Sequence, residues 1–170
     1  MPGNITYTFR HVLVSDAVYG TMLKQERSTL HLFVAQAIEH LYSDRIDGYV
    51  EILANHYLRS PQLDRALHYM ILAGQRAANN YANEQARQHF VTALGLLSKV
   101  VYQPSQAFEI HHGLGDVLML VGEYQASRTH YKSAMEAIEV EDSDVYINEL
   151  SDLDRKMGIT FERQGDFDKA

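Results

Sequence analysis

The sequence predicts an all-α fold in which antiparallel helix-turn-helix units stack side by side as an α-solenoid. Three observations carry that prediction. The first is the stretch Leu114 to Ala134, LGDVLMLVGEYQASRTHYKSA, which reads as two short helices folded against each other. Gly115 interrupts an otherwise strong helical run, at a cost on the order of 1 kcal/mol relative to alanine. That cost points to a neighbouring helix passing too close for a Cβ. Gly122 suits the left-handed turn that stops the first helix. Tyr124, Tyr131 and Ala134 then line one side of the second helix, and Tyr131 is the large residue that Gly115 accommodates. The second observation is recurrence. Gly158 and Gly165 repeat the spacing of Gly115 and Gly122 at an offset of 43 residues, with Phe161, Phe167 and Ala170 following in phase. An earlier stretch without glycine keeps the phase through Leu53, Ala54, Tyr57, Leu63, Ala66, Met70 and Ala73. Ala86, Phe90 and Ala93 repeat the small-aromatic-alanine series once more. The third is composition: only three prolines, with alanine, leucine, glutamine and glutamate abundant.

This pattern resembles the tetratricopeptide (TPR) repeat, which has leucine-glycine in its first helix, Gly-x-Tyr at the turn, and a small, an aromatic and an alanine residue along its second helix. Leu114, Gly115, Leu118, Gly122, Tyr124, Tyr131 and Ala134 fall on those positions. Ser127 stands where alanine is commonest, His111 replaces the early tryptophan, and the terminal proline is missing. The 43-residue offset exceeds the family's about 34, so the helices or their connection are extended.

Composition narrows the function classes. The chain has 170 residues, 46% of them hydrophobic, enough for a real core in one or two domains. Cysteine is absent, which excludes disulfides and thiolate metal sites and fits a reducing compartment. The net charge of −7 gives no overall attraction to nucleic acid or to an anionic membrane. No run of about 18 apolar residues is present, so no membrane span is expected, and Met1-Pro2-Gly3-Asn4 does not open a signal peptide. A cytoplasmic protein is expected. Both ends read as cut, because the last helix stops at Ala170 without a capping element.

In chain order, Ile5-Thr6-Tyr7-Thr8-Phe9 alternates with Ile5, Tyr7 and Phe9 on one face, and predicts one short N-terminal strand, a remnant of a sheet lying upstream. A helix follows from about Leu13 to Lys24. Glu26 to Asp44 is amphipathic, with Leu30, Val34, Ala37, Ile38 and Leu41 at helical spacing. Tyr49 to Arg59 is closed by Ser60-Pro61. Gln62 to Asn80 carries small residues on several faces (Ala66, Ala73, Gly74, Ala77, Ala78), as a helix with neighbours on both sides would. Asn83 to Val100 ends before Gln103-Pro104-Ser105. After the central pair, an acidic turn from Glu139 to Asp144 leads to a helix from Tyr146 to Gln164.

The segment from Phe9 to Tyr19, FRHVLVSDAVY, is similar to a second family. It resembles the end of the winged-helix domain in bacterial STAND-type signalling ATPases, relatives of NB-ARC proteins that include AAA-type modules beside nucleotide cyclase domains and in large transcriptional regulators. There a strand ends in Phe-x-His, a helix of apolar-acidic-aromatic pattern follows, then a basic residue (here Arg27), a second helix and helical repeats. The resemblance implies that residues 1–44 are the C-terminal end of a winged-helix-type domain with linking helices, and that residues 45–170 are TPR-like repeats. It also implies a role for His11, which matches the NB-ARC histidine that touches the β-phosphate of bound ADP. Imidazole suits that task, with one nitrogen donating to phosphate while the other is fixed by a neighbour. Val12 departs from the aspartate of the NB-ARC form. A histidine that ends a strand and packs locally is the other reading of His11.

Other chemistry finds little support. The nine histidines include no pair at i, i+4 and no His-Glu-x-x-His. Glu109-Ile110-His111-His112 holds one Glu-x-x-His, the spacing of di-iron bundles, but without a second copy. Gly113-Leu114-Gly115 lacks the third glycine and the preceding strand of a dinucleotide loop. Glu141-Asp142 and Asp152-Asp154 read as solvated turns, not acid/base pairs. Tyrosines (11) outnumber phenylalanines (6), as suits rings that pack while their hydroxyls reach an edge. The sequence therefore predicts a non-catalytic repeat region that binds a protein, a peptide or a small effector. No cofactor, metal, nucleic acid or membrane is expected on this chain itself, and ATP or ADP belongs to the parent ATPase that the resemblance implies. A spacer or oligomerisation arm without a ligand is the alternative.

Overall fold

The computed structural model describes residues 12–138 and 146–165. The expected strand Ile5–Phe9, His11, the acidic turn and the pair Phe167 and Ala170 lie outside those residues. Among the described residues the chain is all-α, with helices α1 (Val12–Thr21), α2 (Lys24–Leu41), α3 (Val50–Leu58), α4 (Leu63–Asn79), α5 (Asn83–Leu97), α6 (Pro104–Leu120), α7 (Tyr124–Ile138) and α8 (Ile147–Gln164). A 3-10 segment, Ser43–Tyr49, joins α2 to α3. Helices adjacent in sequence pack against each other, α3 on α4, α4 on α5, α5 on α6, α6 on α7 and α7 on α8, and α4 also touches α6. This serial packing is that of an antiparallel helical-repeat solenoid.

The ends are set by local chemistry. The backbone N–H of Leu23 donates to Glu26 Oε2 at 2.8 Å, which caps α2. Pro104 occupies the first turn of α6, where its missing N–H costs nothing, and Gln103 N donates to Gln106 Oε1 at 3.0 Å. Gly122 (φ +84°) and Gly165 (φ +81°) adopt the left-handed conformation at the ends of α6 and α8, as their spacing predicts.

The core runs continuously from Ala35 on α2 to Val117 on α6, and a second cluster joins Tyr131, Ala134 and Leu153 across α7 and α8. The predicted close approach is present. A Cβ on Gly115 would lie 2.3 Å from Cε1 of Tyr131. Ser127, in the alanine position, donates its hydroxyl to the Gly115 carbonyl at 2.8 Å, so the tight helix crossing also satisfies a buried polar group.

The same device occurs in the pair before it, at a register the sequence conceals. Gly74 and Phe90 stand 41 residues before Gly115 and Tyr131, and a Cβ on Gly74 would lie 2.7 Å from the Phe90 ring. Gly113 receives the same ring from the other side, at 2.3 Å from its Cζ. Gly113 and Gly115 are thus two contact points for two aromatic rings, Phe90 and Tyr131. In the α4–α5 turn, Tyr81 takes the place of the left-handed glycine, with φ +58° and its side chain 84% exposed. A non-glycine residue there is strained by about 1–2 kcal/mol. Tyr81→Gly should relieve that strain, lose little packing, and after its entropic cost in the unfolded chain raise stability by about 0.5–1 kcal/mol. A thermal melt checks this, and a lowered midpoint would contradict it.

Candidate interaction surface

Helix α4 buries Ala66, Leu67, Tyr69, Met70, Ile71, Ala73, Gly74 and Ala77. Among the residues it leaves open or half-buried is a strip at i, i+3, i+4, i+7 spacing: Leu72, Gln75, Arg76 and Asn79. Together with Asn80 and with Asp47, Gly48 and Val50 opposite, this strip lines a cleft of ≈ 520 Å3. Leu72 and Val50 give it an apolar floor. Gln75 donates to Glu109 Oε2 at 3.2 Å, and Arg76 lies 3.8 Å from Glu51. Among the described residues Asn79 and Asn80 make no side-chain hydrogen bond. Free amides both donate and accept, which matches the alternating N–H and C=O groups of an extended peptide.

Two polar networks brace the stack, one across α2, α3 and α4 and one across α6, α7 and α8. In the first, Glu39 of α2 accepts from the hydroxyls of Tyr57 (α3) and Tyr69 (α4), each at 2.5 Å, and from the Arg65 guanidinium. The two rings stack in parallel with centroids 5.5 Å apart, and Arg65 covers both. Burial works against the Glu39 charge, but the two hydroxyls and Arg65 outweigh it and hold the carboxyl below its ordinary value. Burial and the carboxylate push Tyr57 up to about 12 and raise Tyr69 as well.

In the second network, Lys156 of α8 contacts Asp116 of α6 at 2.8 Å, Asp152 at 3.2 Å and His112 Nε2 at 2.6 Å. The Tyr131 hydroxyl donates to Asp116 Oδ1 at 2.8 Å. Burial lowers the His112 pKa and Lys156 adds to that, against the two aspartates. The neutral ring therefore accepts the lysine proton, and each charge in the cluster is met by a partner. This arrangement locks α6, α7 and α8 together. A third tie is Arg128, which is buried over the Phe161 ring (4.2 Å) and donates to Gln125, Thr160 and Gln164.

The structure separates the residues of the one Glu-x-x-His. Glu109 turns to Gln75, whereas His112 joins the Asp116–Lys156 cluster. Among the described residues no group of three His, Asp or Glu side chains is arranged to hold a metal ion. Two histidine pairs were not visible in the sequence. His31 and His56 meet Nδ1 to Nδ1 at 2.9 Å between α2 and α3, and His111 and His130 do so at 2.9 Å between α6 and α7. Their separations of 25 and 19 residues carry no helical or motif spacing. The only sequence signal is their place on adjacent antiparallel helices.

No family model matches the chain, and no solved structure matches it. Over 102 residues it is 31% identical to an uncharacterised protein of Rhizobium meliloti (strain 1021). The aligned stretch is 59% of this chain and 10% of that relative, so the chain spans about a tenth of the length of the curated relative it matches. None of the described helices is long and apolar enough to cross a membrane.

Proposed function

We propose that this chain is the non-catalytic interaction and effector-sensing repeat region of a larger cytoplasmic STAND-type signalling ATPase. In this reading, occupancy of the repeats biases the ATP- or ADP-bound module between its off and on states, and His11 contributes its imidazole to the nucleotide phosphates. The observation that carries the binding role is the α4 cleft, in which Asn79 and Asn80 offer unused amides above an apolar floor. A relative in which the matching stretch is one tenth of the chain agrees with a module of a multi-part protein. The net charge of −7 favours protein or peptide partners over nucleic acid.

The cleft is tested by selecting displayed peptides on the full chain and re-measuring them on Arg76→Glu and Asn79→Ala. The expected result is peptide binding weakened about tenfold or more in each variant. Selected peptides that bind both variants as tightly as the parent chain would place the binding elsewhere. The link to an ATPase is tested by the coding sequence upstream of Thr6, where a phosphate-loop motif is expected.

A purely structural or oligomerisation arm is the second reading. Leu23, Leu30, Phe33 and Leu41 favour it, because these large apolar residues at the start and along the length of α2 are 43–69% exposed. Light scattering that shows mass rising with concentration, together with no selectable peptide, would favour the arm.

A further inference from the structure

A second cavity, of ≈ 510 Å3, lies where the end of α1, the first turns of α2 and the end of α3 meet. Tyr19, Lys24, Arg27, Ser28, His31, Leu58, Arg59 and Ser60 line it, and it shares no residue with the α4 cleft. Its charge runs opposite to that of the chain. Acidic residues outnumber lysine and arginine by 22 to 15 overall, yet this lining holds three of the cations and no carboxylate. Of the other described cations, Arg65, Arg76, Arg87, Arg155 and Lys156 face a carboxylate partner, whereas Arg45, Lys99, Arg128, Lys132 and Arg163, scattered over the chain, face none among the described residues. Lys24, Arg27 and Arg59 have no such partner among the described residues. The nearby acid Glu26 accepts from the Leu23 backbone N–H through Oε2 and lines the neighbouring pocket instead of this one.

The walls are held in place. The Arg27 guanidinium sits 5.1 Å from the Tyr19 ring centroid. The Tyr19 hydroxyl and His31 Nε2 share a hydrogen bond at 2.8 Å, and His31 Nδ1 and His56 Nδ1 share another at 2.9 Å. The Nδ1–Nδ1 contact keeps the two imidazoles from both being charged, and burial lowers the pKa of each, so the positive charge of the cavity comes from the three permanent cations. Ser60 Oγ is spent on Tyr57 O and Gln62 N. The Ser28 hydroxyl has no partner among the described residues and is free to donate. Leu58 and the Tyr19 ring add apolar surface.

Three converging cations with one free hydroxyl suit a tetrahedral oxyanion carrying more than one negative charge, and two guanidinium groups can each present a fork to it. The volume lies within the range of small-molecule sites, about 300–1,000 Å3, and exceeds what one phosphate fills. From this juxtaposition of an open cavity with three cations that have no carboxylate partner, we infer that the α1–α2–α3 cavity binds a phosphorylated small molecule bearing at least two phosphate charges. Lys24, Arg27 and Arg59 hold the phosphates and the Tyr19–Leu58 wall covers the remainder. The site stands independently of the α4 cleft, so either can fail alone.

The test is calorimetric titration of the full chain, in a phosphate-free buffer of low ionic strength, with inorganic pyrophosphate, orthophosphate and a tricarboxylate of equal charge. One pyrophosphate per chain is expected, bound more tightly than orthophosphate or the tricarboxylate, with amide NMR shifts confined to residues 19–31 and 56–60. Lys24 and Arg59 are exposed, so Lys24→Gln and Arg59→Gln leave the core intact; each should weaken pyrophosphate about tenfold at an unchanged melting midpoint. The inference is overturned by no pyrophosphate heat or shift at millimolar concentration, by equal affinity in the Lys24→Gln/Arg59→Gln double variant, or by a tricarboxylate that binds as tightly as pyrophosphate.

Discussion

Tyr131→Ala is expected to lower the unfolding free energy by about 3–5 kcal/mol, a fall in melting midpoint of roughly 6–20 °C for a chain of this size. The ring is fully buried, and it fills the space that Gly115 leaves on the facing helix. Truncation opens a ring-sized cavity at the α6–α7 contact and leaves Asp116 without the hydroxyl it accepts from. Tyr131→Phe separates the two contributions, since it keeps the ring and removes only a hydrogen bond to a carboxylate, worth roughly 1.5–3 kcal/mol. Gly115→Ala attacks the same contact from the other side. On helix propensity alone it would stabilise by about 1 kcal/mol. Its Cβ would instead lie 2.3 Å from a ring carbon that is itself walled in, so a net loss of about 1–3 kcal/mol is expected. Chemical denaturation of the two single variants and the Gly115→Ala/Tyr131→Ala double variant measures the coupling. The alanine at 115 should cost little once the ring is gone. A Gly115→Ala chain more stable than the parent would refute the close approach.

That contact was legible in the sequence because a glycine inside a helix, in phase with an aromatic residue on the next, has few physical causes besides a close crossing. Helix ends were legible on similar grounds: Pro61 and Pro104 lack the N–H and the backbone freedom of a helix interior, and Gly122 tolerates the left-handed turn that other residues avoid. The buried face was also readable, since Leu53, Ala54, Tyr57, Ala66, Met70 and Ala73 all lie in the core. The true register of the earlier repeat was hidden by a single residue. Gly74 and Tyr81 keep the spacing of Gly115 and Gly122, but Tyr81 occupies a left-handed position that a reading by glycines passes over. Tyr124, expected beside Tyr131, is only half-buried, since it opens α7 before that helix has turned onto its neighbour. The two polar networks and the cation-lined cavity were not legible at all. Glu39 gathers partners 18 to 30 residues away, and Lys156 meets Asp116 across 40, because inter-helix distances decide these contacts. Periodicity says which face a residue shares, and it is silent on which side chain of the next helix it meets.

The same hidden contacts make stability fall as the pH drops from 6.5 towards 4. Each histidine pair joins Nδ1 to Nδ1, so one ring must keep an unprotonated nitrogen and the two cannot both be charged. Burial, reinforced by His130, pulls His111 down to about 4 from its ordinary 6.5. Burial also lowers His31, His56, His68, His89, His112 and His130. Between the folded and unfolded values the unfolded chain binds more protons, so the unfolding free energy rises with pH. The histidine contribution is therefore complete above pH 6.5 and is lost as the pH falls through the folded values. For His111, a half-buried ring, about 1–2 kcal/mol remains after allowance for solvent screening. Glu109 works the other way. Burial raises its carboxyl, so the stability it adds is present in acid and lost as the pH rises through its folded value. It offsets one histidine at most, against seven. Glu39 and Asp152, both held low, extend the loss below pH 4. Urea unfolding at pH 7, 6 and 5 should give steadily falling midpoints, and His111→Asn should flatten part of that slope by removing the most depressed group. A midpoint unchanged from pH 7 to pH 5 would mean that the rings are solvated, and that the helix pairs are held by their apolar contacts alone.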